Sequence, residues 1–323
     1  MRILVTGGNG FLGYRLAQSL LEKGHAVRVF GRSAAKLEAA ESFQGDIGDL
    51  QAVNQAVKGC DAVFHTAAKV GMGRQSEFFR VNVVGARNIV SACRRAGVKA
   101  LIYTSTPSVV FEKDGIRGAD ERHPYGPYFL CDYARTKAQA EQETLAQADD
   151  KLRICALRPH LIYGAGDPHL LPAVVAAAES GRLRQVGDGK NRVDITHIAN
   201  AVLAHELALK ALLEGRANKK AYFISQGEPV LLWPWINQAL SKVGIAPVSR
   251  KIPYRLAYLL GWLCELFFKG KSAPPMTRFV AANLAHDHFY DISAARKDLG
   301  YAPVVSIEDG LDDWAQSFLR EKA

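Results

Sequence analysis

Short apolar runs alternate with segments of helical spacing from the first residues of the chain onward. Ile3-Leu-Val5 is wholly apolar, as a strand buried on both faces of a parallel sheet must be. Phe11, Leu12, Leu16, Ala17 and Leu20 then recur at helical spacing. The same alternation predicts strands at Ala26–Phe30, near Ser42–Gly45, at Asp61–His65, Ala100–Ser105 and Leu152–Leu157, where Arg158-Pro159 breaks the run. Between them it predicts helices over Asp49–Val57 and Phe78–Arg95, a loop rich in Gly, Pro and charge over Glu112–Pro127, and then a polar helix holding Tyr133-Ala-Arg-Thr-Lys137. Beyond these the alternation weakens: Pro168–Ser180 reads as helix, Arg192–Ile198 opens another helix reaching Leu213, and Ala221–Ser225 is a last strand. From Gly227 the chain is helical and aromatic and holds all four tryptophans. Alternating strands and helices mean an α/β doubly wound parallel sheet. The expected division is 1–226 for the sheet domain and 227–323 for a smaller, mostly helical lobe, with 160–200 contributing to its pocket.

What joins the first strand to its helix carries the first chemistry. Thr6-Gly-Gly-Asn-Gly-Phe-Leu-Gly13 contains G-x-G-x-x-G in a strand–turn–helix setting. Glycines there let the backbone turn sharply and approach a pyrophosphate, which the N-terminus of the following helix receives. The second strand ends at Gly31-Arg32, where an NAD site would carry an acid. Gly31 clears space and Arg32 offers a bidentate donor for a 2′-phosphate, so NADP(H) is the expected cofactor.

Composition narrows the field. Hydrophobic content of 48% and charged content of 23% over 323 residues fit a globular protein with about two domains. Five scattered cysteines without C-x-x-C spacing speak against a disulfide framework and against a zinc site. The N-terminus enters a strand directly, which leaves no room for a signal peptide and points to the cytoplasm. The excess of 41 Lys+Arg over 32 Asp+Glu, a net +9, suits an anionic cofactor, an acidic substrate or an anionic surface. No basic run exceeds Arg94-Arg95 or Lys219-Lys220, so nucleic acid is not expected.

Tyr133 and Lys137 are four residues apart and project from one helix face. A lysine ammonium beside a tyrosine, together with the oxidised nicotinamide, lowers the phenol from its ordinary value of about 10 toward neutrality. Lys137 can also hydrogen-bond the nicotinamide ribose, and the Thr106 hydroxyl can hold a carbonyl while Tyr133 protonates it. His65 at a strand end is read as a structural histidine.

At these residues the chain resembles the extended short-chain dehydrogenase/reductase family. The motifs are Thr6–Gly13, Gly45-Asp46, Phe64-His-Thr-Ala-Ala68, Asn82 with Gly85, Thr104-Ser-Thr106, Tyr133–Lys137 and Arg158-Pro159. Tyr103-Thr-Ser-Thr-Pro-Ser-Val109 and Ala156-Leu-Arg-Pro-His160 make it similar to the 3β-hydroxysteroid dehydrogenase-like branch. Within that branch, His169-Leu-Leu-Pro172, Arg182–Gly189, Ala221–Ser225, Gly227-Glu-Pro229 and Thr277-Arg-Phe279 resemble the bacterial 2-alkyl-3-oxoalkanoate reductases of olefin biosynthesis.

The resemblance implies a seven-stranded Rossmann-like sheet with Thr106, Tyr133 and Lys137 catalytic. It places Gly7, Gly10, Phe11, Leu12, Gly13, Asp46, Ile47, Ala67, Ala68, Asn82 and Pro159 on the cofactor with Arg32, Tyr133 and Lys137. Threonine stands where the family usually has serine, and Ser105 is the fallback hydroxyl. Arg192 and Asp194 resemble a substrate-facing position, or form a structural contact; His160 and Tyr128 are further pocket residues.

The leading expectation is NADPH-dependent reduction of a long-chain 2-alkyl-3-oxoalkanoate, a β-keto acid. The alternatives are a 3β-hydroxysteroid or sterol dehydrogenase, a nucleotide-sugar epimerase or dehydratase, and a non-catalytic NADP-binding regulator. A homodimer and docking with enzymes of the same pathway are further expectations. One stretch has three readings. Tyr254–Phe268, followed by Lys269 and Lys271, places Leu256, Leu259, Leu260, Leu263, Leu266 and Phe267 at helical spacing. It is too short to span a membrane. Core packing is the default, a lid over an apolar tunnel the functional reading, and peripheral membrane or partner contact the third.

Overall fold

The structure, a computed structural model, describes residues 1–268 and 274–322. Lys269 and Lys271 lie outside the described residues. Seven parallel strands form the main sheet: β1 (Arg2–Thr6), β2 (Ala26–Gly31), β3 (Glu41–Gln44), β4 (Ala62–His65), β5 (Ala100–Thr104), β6 (Arg153–Pro159) and β7 (Lys220–Ile224). Their order is β7-β6-β5-β4-β1-β2-β3, so the chain reverses direction across the sheet between β1 and β4. That reversal opens the crevice at the strands' carboxyl ends where ligands of such sheets bind. β1, β4 and β5 are almost wholly apolar because both their faces are covered.

Helix α1 (Phe11–Glu22) packs with a later helix on one face of the sheet; α2 (Leu50–Val57) and α3 (Gly85–Ala96) pack on the other. Asp49 caps α2 by accepting from the Gln51 and Ala52 amides. The helix expected over 78–95 is broken into a turn, Gln75–Phe78, a π-turn, Phe79–Val84, and α3. α4 (Asp132–Ala146) carries the Tyr133–Lys137 pair and lies beside α3. α5 (Leu170–Glu179) precedes α6 (Ile198–Leu213), which joins α1 under the sheet.

Three expectations are corrected here. β6 does not stop before Arg158-Pro159 but runs through both, pairing Pro159 with Ile224 of β7. Proline is tolerated there because it is the strand's last residue. Residues 192–197 form two short strands rather than the start of α6. The loop expected over 112–127 contains the strand Ile116–Ala119. That strand joins a second sheet in the order Val230–Leu231, Arg192–Val193, His288–Tyr290, Ile116–Ala119. The smaller lobe is thus sewn to the main domain by strands from both parts of the chain.

The lobe adds α7 (Leu232–Lys242), α8 (Tyr254–Phe267), α9 (Arg278–Ala285) and α10 (Ile307–Lys322). Trp233, Trp235 and Trp314 are buried in its core with Leu171, Ile236 and Leu311. α8 is different. Its only buried residues are Ala257 and Gly261, and a Cβ on Gly261 would lie 2.6 Å from the Thr277 carbonyl carbon. The helix rests on its small-residue strip, so the leucine face points outward: Leu259 is 50% and Phe267 81% exposed. Core packing of that face, the default expectation, is overturned.

Candidate active site

β1 ends where Gly7 turns at φ +68°, a conformation that favours glycine, with the Ala67 backbone so close that a Cβ would sit 2.9 Å from its Cα. Gly13 is held against the Gly7 carbonyl, and a Cβ there would also meet Thr66 Oγ1 at 2.8 Å. The turn therefore needs glycine at both ends. α1 begins at Phe11 with no side chain capping it, so the amides of Phe11, Leu12 and Gly13 form an uncapped positive helix end.

In front of it lies a cleft of about 390 Å³. Gly7, Gly10, Arg32, Asp46, Ile47, Ala67 and Ala68, which the sequence reading puts on the cofactor, line it. Arg32 is exposed and makes no ion pair among the described residues. Asp46 is not free: it accepts from Arg80 at 2.5 Å and from the Gly48 amide at 2.7 Å. Chiefly the Arg80 bond, and more weakly the charge of Arg32, hold its carboxyl below the usual range. Arg80 also lines the cleft and is not among the expected residues. Neither is Asn9, whose amide donates to Ser33 Oγ and the Ala34 carbonyl and accepts from the Lys36 amide. It fastens the Arg32 loop over the glycine turn. The signal for it was the one polar residue in Gly-Gly-Asn-Gly.

Asn82 is a positioning residue rather than a lining one. Its buried side chain accepts from the Lys69 amide at 2.7 Å and donates to Thr136 Oγ1 of α4 at 3.0 Å. It ties the segment after β4 to the helix that carries Tyr133. Pro159 is buried at the end of β6 and is not in the cleft wall.

β5 and α4 bring the expected catalytic groups together. Thr106, at the cap of the turn Pro107–Val110, stands beside Tyr133, but its hydroxyl is engaged with Ser108: it accepts from the Ser108 amide and donates to Ser108 Oγ, both at 3.2 Å. Burial pushes Tyr133 up to about 12, while the Thr106 contact acts the other way. Lys137 is buried; its Nζ donates to the Thr104 carbonyl at 2.5 Å and sits 4.1 Å from the Tyr103 ring centre. Burial pulls it down to about 7, opposed by Glu141. The expectation that Lys137, together with the oxidised nicotinamide, lowers Tyr133 concerns the cofactor-bound site; in the protein alone, desolvation is the leading influence on both groups. Ser105, the fallback, has a buried hydroxyl without a partner.

Behind Lys137 lies a pair the sequence reading missed. Glu141, one more turn along α4, is fully buried and bonded to Arg158 of β6, with Arg158 Nε at 3.1 and 3.2 Å from its two oxygens and Nη2 at 2.5 Å. Tyr125 donates to the same carboxylate at 2.8 Å. Arg158 is sandwiched by the Phe223 and Tyr125 rings, 5.0 and 5.5 Å away. A charged residue inside an otherwise apolar strand was the available signal.

Other expected residues fall outside this cluster. His65 bonds Thr6 Oγ1 at 2.8 Å and is held neutral by burial, down to about 3, in keeping with a structural role. Arg192 and Asp194 do not pair: Asp194 is buried, accepts from the Tyr290 amide and is pushed up to about 7, while Arg192 lies 5.1 Å from the Phe289 ring. His160 bonds His288 at 2.6 Å, and both edge a cavity of about 10 Å³ with Ser108 and Tyr290, room for about one water. Tyr128 is half-exposed.

Residues 4–254 match the model of the 3-beta hydroxysteroid dehydrogenase/isomerase family. The chain is 47% identical to a 2-alkyl-3-oxoalkanoate reductase of Stenotrophomonas maltophilia, over 96% of this chain and 97% of that one. It is 34% identical to the mouse (Mus musculus) sterol-4-alpha-carboxylate 3-dehydrogenase, decarboxylating, over 97% and 90%. Among solved structures, gox2253 superposes with a TM-score of 0.79 at 26% identity over 99% of this chain and 98% of that one. MoeE5 in complex with UDP-glucose and NAD superposes at 0.77 over the whole of both chains, at 24% identity, which shows the fold alone.

Proposed function

The chain belongs to the 3-beta hydroxysteroid dehydrogenase/isomerase family, oxidoreductases of the extended short-chain type that use a nicotinamide cofactor, and we propose that it reduces the 3-keto group of a long-chain 2-alkyl-3-oxoalkanoate with NADPH. The observation that carries this reading is that α4 lays the Tyr133–Lys137 pair against the end of β5, where buried Lys137 donates to the Thr104 carbonyl at 2.5 Å and Thr106 follows two residues on. The bound nicotinamide supplies a hydride. Thr106 and Tyr133 hold the carbonyl oxygen, and Tyr133 gives it a proton as its negative charge develops. Lys137, in its charged form, stabilises the phenolate left behind and would hold the nicotinamide ribose.

Two relatives support the substrate class. The name of one places a carboxylate and a reducible 3-oxo group on either side of carbon 2; the name of the other places a carboxylate on carbon 4 beside the reacting carbon 3. Both are β-related oxygen and carboxylate functions, which makes an apolar β-keto acid the common denominator. The sterol reading is the second one, and it is favoured by the mouse relative. Turnover of synthetic 2-alkyl-3-oxo acids beside 3-ketosteroid 4-carboxylates separates them, and activity on neither class removes the proposal. Tyr133→Phe should lower kcat by roughly 10²–10⁴-fold with NADPH binding retained.

The unpaired Arg32 in the cleft wall supports NADPH over NADH. A charge-assisted phosphate bond contributes about 1.5–3 kcal/mol, so Arg32→Ala should erase a preference of roughly ten- to a hundred-fold. Equal wild-type affinity for the two cofactors would refute this part.

A further inference from the structure

The outward face of α8 is an exposed apolar surface. Leu256, Leu259, Leu260, Trp262, Leu266 and Phe267 are each at least 41% exposed along a single helix. A contiguous apolar surface of this kind marks an interaction site. Its charges say what covers it. Arg250, Lys251 and Arg255 stand at its N-terminal end, all exposed. The helix's one acid, Glu265, is neutralised by Arg278, which donates to it through Nε at 2.7 Å and through its amide at 2.8 Å. Asp114, near Tyr254, is outnumbered by the three cations.

We propose that α8 is a docking face for an anionic lipid surface. Leucine, phenylalanine and tryptophan on an exposed helix with flanking arginine and lysine is the composition that lies in the headgroup boundary. A second copy of the chain is the competing occupant, and the test below separates the two. The face is also placed to matter. α8 rests on α9 through Gly261, and the Phe279 ring of α9 lies 5.2 Å from that of Phe111, tilted by 48°, next to the turn that Thr106 caps. Docking would then bring the Thr106 turn, joined to α8 through α9, near a surface into which a long-chain substrate partitions. That last link rests on the proposed function; the docking itself does not.

The test reads binding rather than turnover, so its outcome is separate from that of the substrate assignment. The full chain is sedimented with vesicles of equimolar phosphatidylglycerol and phosphatidylcholine, and with vesicles of phosphatidylcholine alone. Co-sedimentation with the first, weaker with the second and weakened by salt, is expected, with a blue shift of Trp262 fluorescence. Leu259→Glu with Phe267→Glu should lower partitioning by roughly 10-fold or more. Arg255→Gln should lower it by roughly 5-fold, and only on the anionic vesicles. NADPH binding by the variants reports that they are folded. Failure of the wild-type chain to bind either vesicle overturns the proposal. So does a dimer that the leucine variants convert to monomer while vesicle binding is unchanged, which would assign the face to self-association.

Discussion

Helix α4 carries charges inward, whereas helix α8 carries leucines outward. On α4, Lys137 and Glu141 are almost wholly buried and Tyr133 is half-buried. On α8, nearly every large apolar residue meets solvent and only Ala257 and Gly261 are covered. Each inversion has a cost that folding alone would not select: desolvated charge in one, unburied hydrocarbon in the other. In α4 the cost is offset within the protein, by Arg158, Tyr125 and the Thr104 carbonyl. In α8 nothing within the described residues offsets it, and in our proposal the compensation comes from a lipid surface. A buried charge points to chemistry, and an exposed apolar face points to a surface.

The largest effect should come from breaking the internal compensation. Arg158→Leu leaves Glu141 buried with only the Tyr125 hydroxyl, and removing one partner of a buried pair costs about 3–5 kcal/mol. Denaturant unfolding should register that loss even though residue 158 does not touch the cofactor cleft. A loss below about 1 kcal/mol would mean that Glu141 is protonated and carries no charge in need of a partner. Lys137 offers a second way to sharpen the contrast. Its folded value of about 7 lies below the ordinary 10.5, so the unfolded chain holds the extra proton between these values. Lys137 therefore makes stability rise with pH across that window, with its full penalty present below about 7. The stability difference between wild type and Lys137→Met, measured without cofactor, should shrink as pH climbs from 7 toward 10.5. A difference independent of pH would show that Lys137 is solvated.

The sequence made α4 legible from one side only. Tyr133–Lys137 spacing, the glycine turn and the hydroxyls after β5 are local patterns, and local patterns survive folding unchanged. Glu141 and Arg158 belong together only because β6 lies beside α4 in the fold, and the Arg158-Pro159 pair reads locally as a strand break. Asp46 lines the cleft, but its partner Arg80 comes from a π-turn that no apolar periodicity announces. For α8, periodicity identified the apolar face but could not say what the face meets. That depended on Gly261 and Ala257, small residues that let the opposite side settle on α9.

The smallest expected effect therefore separates the two sides of α8 itself. Gly261→Ala adds a Cβ 2.6 Å from the Thr277 carbonyl carbon and 2.7 Å from the Arg278 nitrogen, both backbone atoms that cannot rotate away. Overpacking of this kind costs about 1–3 kcal/mol, more than the roughly 1 kcal/mol that alanine gains over glycine in a helix, so the melting temperature should fall. Leu259→Gln, on the outward side, should change stability by no more than about 0.5 kcal/mol, as exposed positions do. Leu240→Ala on α7, fully buried in the lobe core, supplies the scale, at about 2–5 kcal/mol. If Leu259→Gln instead approached the cost of Leu240→Ala, the leucine face would be covered by the protein in solution and the external partner would lose its reason. If it stayed near zero while partitioning onto anionic vesicles dropped, the leucine would be serving an interface and not the fold.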